Sequence, residues 1–491
     1  MTSITKDSQI ILVGAGVFGL SNALHLAKNG YKHITVFDRL DMEANHYTFL
    51  EGADTASADM NKVFRAHYAE KKHYQDLAFQ AFDVWQQWNR DITLLPPNEA
   101  SKYTDLKVLD LCGMLRIDDQ VGWEEQATIE NYENEGLGSL RYDINNKDDT
   151  KRANACGLGY KMKFAQDLKS RVPKLEGALD STSGVLYASR ACQYAKYLSE
   201  KMGVKFVLGG PKGTFVEYIY KDTGKTEVGG IVTQDGTKHY ADLVVINSGP
   251  WSTSLVPELD GINEGTAGNI VTFKIPESRK DLRMKYSPEN FPIICWKTGH
   301  SREHDYLAGM FMFPIIEPEG YMKMIIRQTK YTNPVELDNG RVVSIPKTAN
   351  SNPPFKYLTK HIMKQVREWL TVFFPDLAKA GLNFESKVLW YTDTIDNDYI
   401  YDFVPKKKGL FVACGGSGHA FKMLPVLGQF LVDKIEGREN LYTDLFKWRY
   451  SKDFEKDPNG LREGLNGNRR YDIQEISGPE DYKIGPLKAK L

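Results

Sequence analysis

Ile10-Ile11-Leu12-Val13-Gly14-Ala15-Gly16-Val17-Phe18-Gly19, continued by Leu20-Ser21-Asn22-Ala23-Leu24-His25-Leu26-Ala27, carries the signature of a nucleotide-binding strand–turn–helix unit. An apolar run of strand length ends in G-x-G-x-x-G, and apolar residues at helical spacing follow at once. In that context Gly14 permits the tight turn, Gly16 lets a pyrophosphate approach the backbone, and Gly19 lets helix and strand pack closely. The helix start, through Val17 and Phe18, offers N–H groups and positive dipole character to phosphates. A second strand, His33-Ile34-Thr35-Val36-Phe37, ends at Asp38-Arg39. Asp38 stands where a carboxylate meets the ribose hydroxyls of an adenosine. An acid there favours FAD or NAD over NADP.

The 491-residue chain is long enough for two domains. Its formal net charge of -1 gives no footprint for nucleic acid. The five cysteines (Cys112, Cys156, Cys192, Cys295, Cys414) are scattered, without C-x-x-C. That usage fits a reducing compartment and opposes a disulfide framework or a thiolate metal site. No window has the length and apolarity of a membrane span, and the glycine-filled N-terminus is not a secretory signal. The last residues, Ala489-Lys490-Leu491, are a conservative variant of the Ser-Lys-Leu peroxisomal address. The expected location is peroxisomal, through the import receptor that reads this tripeptide, with the cytoplasm as fallback.

After Asp38, the small polar loop Glu51–Arg65, with Ser57 in it, leads into a helix through Tyr74, Leu77, Phe79, Phe82, Trp85 and Trp88. Irregular, Asn- and Asp-rich segments follow over 90–160. A strand at Gly184–Tyr187, a helix over about 190–202, a strand at Val204–Leu208 and a hairpin turning at Asp235-Gly236 come next. The return strand runs into Ile246-Asn247-Ser248-Gly249-Pro250-Trp251. Residues 265–345 alternate in strand fashion, and a helix over about 355–373 ends before Pro375. Strands at Leu389–Thr394 and Tyr399–Asp402 precede Leu410–Lys422, a second strand, glycine turn and helix start.

Taken together, Asp59–Arg65, Ile246–Trp251, Phe313–Lys323, Trp390–Asp402 and Gly416–Lys422 resemble the glutathione-reductase-like flavoproteins of the glycine/D-amino-acid oxidase group. The resemblance is closer to monomeric sarcosine oxidase and the fungal fructosyl amino acid oxidases (amadoriases). Narrower still, it points to fungal oxidases of N-methylated amino acids, such as that of the fumisoquin isoquinoline pathway. It implies an α/β fold in which a glutathione-reductase-like Rossmann FAD-binding domain is interleaved with a D-amino-acid-oxidase-like, mixed-sheet α+β substrate domain. The expected FAD-binding domain comprises 1–85, 160–260 and 385–450. The substrate domain comprises 86–159 and 261–384, and 451–491 is a tail carrying the peroxisomal signal.

The same resemblance implies roles for named residues. Arg65 and Lys422 would grip an amino-acid carboxylate. Lys62 would lie over the flavin face, and Lys323 would activate oxygen by stabilising superoxide as it forms. Gly416-Ser417-Gly418 would set helix N–H groups against the flavin pyrimidine, with Gly249 and Trp251 also at the cofactor. His419 is either near the ring or a packed histidine. The usual cysteine tether for the flavin 8-methyl is replaced by Leu389, so Cys414 becomes the candidate for an alternative 8α-S-cysteinyl link. The sugar-binding acid of amadoriases is replaced by Pro314-Ile315, with Glu317 or Glu319 as substitutes. His300 and His304 lack a metal motif, and no metal is expected.

The implied activity is FAD-dependent oxidation of a secondary amine, an N-methyl amino acid with an aromatic or phenolic side chain, to an iminium, with O2 reduced to H2O2. Ring closure to an isoquinoline would follow where a phenol traps the iminium. Alternatives are a deglycating fructosyl amino acid oxidase, a pipecolate- or saccharopine-type oxidase, a flavin dehydrogenase, and a noncatalytic flavin-binding module. A monomer is the default.

Overall fold

The computed structural model of the chain describes residues 4–48, 55–100, 106–118, 123–296, 309–348, 351, 355, 357–455 and 467–483. Two large sheets carry it. The first has six strands in the order Ile400–Phe403, Leu410–Cys414, Leu243–Ile246, Gln9–Val13, His33–Asp38, Lys205–Leu208. All neighbours are parallel except the edge strand Ile400–Phe403. Its central strands are apolar on both faces because both faces are covered. On one face lie the helices Val17–Lys28, Ala188–Lys201 and Leu424–Ile435. The smaller antiparallel sheet of Phe215–Tyr220, Val228–Thr233 and Lys238–Tyr240 packs on the other. A Cβ on Gly428 would stand 2.0 Å from the Ser21 carbonyl oxygen, so glycine there sets how closely the first and last of these helices pack.

The second sheet has eight strands in the order Phe384–Thr394, Asn263–Lys274, Tyr321–Tyr331, Gly309–Met312, Ile293–Trp296, Met114–Asp118, Glu176–Asp180, Arg141–Asp143. It is mixed, because Ile293–Trp296 runs parallel to Met114–Asp118 while its other pairings are antiparallel. The amphipathic helix Lys360–Phe373 buries Ile362, Val366, Trp369, Leu370 and Phe373 against it. A three-stranded sheet of Lys62–Phe64, Gly184–Leu186 and Leu109–Asp110 contributes residues to both the nucleotide-side core and the Met60/Phe313 cluster. The α/β class with a mixed second sheet is as expected.

Three local expectations differ. Residues 160–180, expected in the first domain, pack with the second sheet: Met162, Ala165, Leu168, Leu175 and Leu179 bury in its core, and Glu176–Asp180 pairs with Met114–Asp118. The chain returns to the first sheet's side only after Gly184–Leu186. The helix expected from 355 begins at Lys360, where the Thr359 hydroxyl caps the Ile362 N–H at 3.3 Å. Pro375 opens a further short helix, Pro375–Lys379, since proline is at home in a first helical turn. Within the tail, residues 467–483 run along the second sheet and bury Tyr471 and Tyr482. Ala489-Lys490-Leu491, His300 and His304 lie outside the described residues. Among the described residues no helix is long and apolar enough to cross a membrane.

Candidate active site

A cavity of about 480 Å3 runs from the glycine loop to the face of the second sheet. At its nucleotide end the three glycines have different physical duties. A Cβ on Gly14, whose φ is +111°, would lie 2.5 Å from the Asn247 carbonyl oxygen, and one on Gly19 would lie 1.8 Å from the Gly14 carbonyl oxygen. A Cβ on Gly16 would meet only Ser57, at 3.0 Å or more. Gly14 and Gly16 line the cavity, whereas Gly19 does not and serves strand–helix packing. Asp38 accepts from the Ala15 N–H at 2.7 Å and the Leu40 N–H at 2.8 Å, so it braces the loop as well as lining the cavity. Burial pushes its pKa up against those two hydrogen bonds.

Val17 and Phe18 line the cavity, but the Val17 N–H already donates to Ser57 Oγ at 2.8 Å. That first helical N–H is therefore committed within the protein. Arg39 stacks on the Trp251 ring at 4.1 Å, and Gly249 lies beside it on the wall. The buried amide of Asn247 donates to the carbonyls of Val13 and Gly14 and accepts from Asn22, tying loop to sheet. Asn22 and Asn247 sit in motifs quoted above, yet nothing in residue type alone marks them as partners.

Gly416, Gly418, His419 and Lys422 return to the same cavity from the late strand. The helix does not start there. Gly415, Ser417 and Gly418 have positive φ, and the helix begins only at Leu424 after a short 3-10 turn. The N–H groups of Gly415 and Gly416 are taken by the Thr392 hydroxyl at 3.1 and 3.2 Å. Cys414, the candidate tether, is not among the lining residues. It is buried in the apolar cluster of Val13, Ile246, Ile400 and Val412, and burial pushes its thiol up to about 12. A buried, protonated thiol behind the wall is a packing residue. Leu389 does line the cavity.

Toward the second sheet, Arg65 and Lys422 lie near one ring, that of Tyr68, at 5.0 and 4.8 Å from its centroid. The Lys422 ammonium donates to the His419 carbonyl at 3.2 Å, and the Arg65 guanidinium donates to the His67 carbonyl. His419 Nε2 meets the Asn397 carbonyl oxygen at 2.9 Å, which makes that nitrogen the donor. Its Nδ1 then accepts from Tyr68 or Tyr399, at 3.2 and 3.1 Å. Burial first, then the Lys422 charge, holds its pKa well below the usual imidazole range. His419 is thus a neutral post of the pocket wall.

Lys323 is wholly buried behind the wall, with its ammonium 2.8 Å from Asp59 Oδ2 and 2.5 Å from the Asn61 carbonyl oxygen. Lys62, which lines the cavity, reaches the same Asp59 oxygen at 2.7 Å. One carboxylate therefore joins the two lysines. Burial lowers Lys323 to about 7, with Asp59 opposing and Lys62 assisting. Asp59 is itself held low: burial would raise it, but the charges of Lys323 and Lys62 outweigh that. The role of Asp59 is not legible from its neighbours in the chain, because its second lysine comes from a distant strand.

Val63, Phe311, Phe313 and Ile325 make the apolar wall. Glu317 and Glu319 are not part of it, and Glu317 pairs with Arg283 at 2.8 Å on the surface. A continuous cavity with a side-chain-free approach at Gly16, an acid at its nucleotide end and cations at the other fits an FAD.

A family model described as FAD dependent oxidoreductase (DAO) matches residues 9–434. The chain is 25% identical over 463 residues to the L-saccharopine oxidase of Schizosaccharomyces pombe, covering 90% of this chain and 93% of that one. It is 24% identical over 445 residues to the peroxisomal sarcosine oxidase of Mus musculus, covering 88% and 93%. A modified fructosyl peptide oxidase from Aspergillus nidulans shares the fold, with a TM-score of 0.75 and 22% identity over 96% of this chain and 99% of that structure.

Proposed function

The chain belongs to the DAO family of FAD dependent oxidoreductases and is an FAD-dependent amine oxidase, and on that premise we propose that it oxidises the secondary amine of an amino acid to an iminium, with O2 reduced to H2O2. FAD bound in the cavity supplies the two-electron acceptor. The observation that carries the substrate class is the convergence of Arg65 and Lys422 on one end of that cavity, beside the Tyr68 ring. A guanidinium and an ammonium held there suit a carboxylate. The apolar wall of Val63, Phe311, Phe313 and Ile325 suits an aromatic side chain, so an N-methyl aromatic amino acid is the preferred substrate. Lys62 and Lys323, joined through Asp59, supply positive charge where oxygen gains electrons. Neutral His419 orients Tyr68 and takes no proton. With a phenolic substrate, attack of the ring carbon on the N-methylene iminium closes an isoquinoline and releases the ring proton.

A second reading, a saccharopine-type oxidase, is favoured by the likeness to L-saccharopine oxidase along 90% of the chain. Saccharopine is also a secondary amine with carboxylates. A panel of N-methyltyrosine, N-methyl-dopa, sarcosine, pipecolate, saccharopine and fructosyl-lysine separates the two, following anaerobic bleaching of flavin absorbance and aerobic peroxide. Fastest bleaching by the N-methyl aromatic amino acids, with a cyclised product by mass, supports the first reading. Turnover confined to saccharopine replaces it with the second, and bleaching by fructosyl-lysine alone sinks both.

We also propose peroxisomal residence through Ala489-Lys490-Leu491 and a monomeric state. A fluorescent protein fused ahead of the chain should label peroxisomes and become diffuse when the last three residues are removed. Sedimentation should give the mass of one chain.

A further inference from the structure

Arg65 does not stand alone in the pocket wall: its guanidinium donates to the backbone carbonyl of His67, two residues on. That carbonyl is fixed from behind. His67 is 5% exposed, its Nε2 lies 3.1 Å from Asp180 Oδ2, and its ring stacks on Tyr132 at 5.3 Å with 9° between planes. Asp180 ends the strand Glu176–Asp180 of the second sheet and is 1% exposed. Its carboxylate is filled by the Thr182 N–H at 2.9 Å, the Thr182 hydroxyl at 2.7 Å and the Ser183 hydroxyl at 2.5 Å. The same loop is held again at Ala69, whose carbonyl accepts from Asn131 at 2.5 Å and whose φ is +45°. Neither His67 nor Asp180 lines the cavity.

We infer that His67 and Asp180 are positioning residues for the carboxylate grip, acting through Arg65. Their buried pair locks the carbonyl that orients the guanidinium, so the fork is aimed before substrate arrives. A fork whose rotation is already fixed loses less conformational freedom on binding. The pair also joins the two layers of the site, since Arg65 follows a short strand next to the nucleotide side while Asp180 belongs to the substrate sheet. Loosening it should therefore weaken carboxylate binding and leave the rest of the pocket intact.

This inference rests on the reading of Arg65 as the carboxylate residue, and the test separates the two. Anaerobic stopped-flow reduction of the holoenzyme by N-methyltyrosine and by N-methyltyramine, which lacks the carboxylate, gives a Kd and a limiting rate for each. In His67→Leu the Kd for N-methyltyrosine should rise at least about 10-fold, with its limiting rate and the Kd for N-methyltyramine within about 2-fold of the parent. His67→Gln, which keeps a donor toward Asp180, should recover most of the loss. Should His67→Leu fail to retain FAD, Asp180→Asn is measured the same way and should give the same split. Equal shifts for both amines, or no shift for either, overturn the inference. Arg65→Ala is the control. If it erases the preference for N-methyltyrosine while the His67 and Asp180 variants keep it, only the positioning role falls. If it leaves the preference intact, the reading of Arg65 falls and the positioning role with it.

Discussion

Arg65→Ala removes a charged fork from the wall of the cavity while leaving Lys422 in place. The loss of charge-assisted hydrogen bonds to a carboxylate costs about 3 kcal/mol, a KM increase of about 10²-fold, measurable by initial-rate kinetics on the preferred amine. A KM within a few fold of the parent would remove Arg65 from the site. Lys323 makes a pH-dependent prediction. Its pKa is lowered to about 7, so it is charged below that pH and loses its charge as pH rises through it. Flavin reoxidation by O2 should be fast below about pH 7 and slow above it. Lys323→Met should slow it by about 10²-fold and flatten the profile, with anaerobic reduction unchanged. His419, whose pKa is held well below the usual range, should add no ionisation of its own to that profile. Cys414 and Leu389 give a third outcome. With Cys414 inside the apolar cluster and leucine at the wall position, the denatured protein should show the mass of the bare chain and release its FAD. A flavin-sized mass increment would restore the tether. At this scale the residue types were legible in sequence, because Arg65, Lys62, Lys323 and Lys422 stand in recognisable motifs. Their partners were not: Asp59 joins two lysines only because two strands from different sheets meet at it.

The first strand, glycine loop and helix were readable as an element, since alternation between strand and helical spacing is local in the chain. The glycine reading holds in physical detail at Gly19, where a Cβ would stand 1.8 Å from the Gly14 carbonyl oxygen. Gly19→Ala should cost about 3 kcal/mol or more through overpacking and lower FAD content sharply. Normal FAD content and thermal stability in that variant would contradict this packing argument. The late glycine turn was legible as a turn but not as to where its helix begins. That was decided by Thr392, whose hydroxyl captures two turn N–H groups from another sheet. A hydrogen-bond partner on a remote strand leaves no local trace.

For the whole molecule, two sheets share one site, and the chain crosses between them repeatedly. Residues 467–483 of the tail pack on the second sheet, with Tyr471 3% exposed and against Tyr331 at 4.7 Å. Tyr471→Ala should cost about 3 kcal/mol by emptying a core position, and show as a lower thermal midpoint with kcat unchanged. An unchanged midpoint would mean that the tail does not contribute to that core.

Local patterns in the chain were enough for the nucleotide-side scaffold, a G-x-G-x-x-G strand–helix unit with an acid at Asp38, and for the presence of four cations in family-like motifs. Such patterns follow from backbone geometry and side-chain period. It took packing between remote segments to put residues 160–180 in the substrate sheet, to bury Cys414 away from the cavity, to make His419 a neutral post, to set Asp59 between Lys62 and Lys323, and to place the His67–Asp180 pair beside Arg65. Each of these depends on which remote strand packs alongside, and so on burial and charge that no neighbouring residue in the chain reveals.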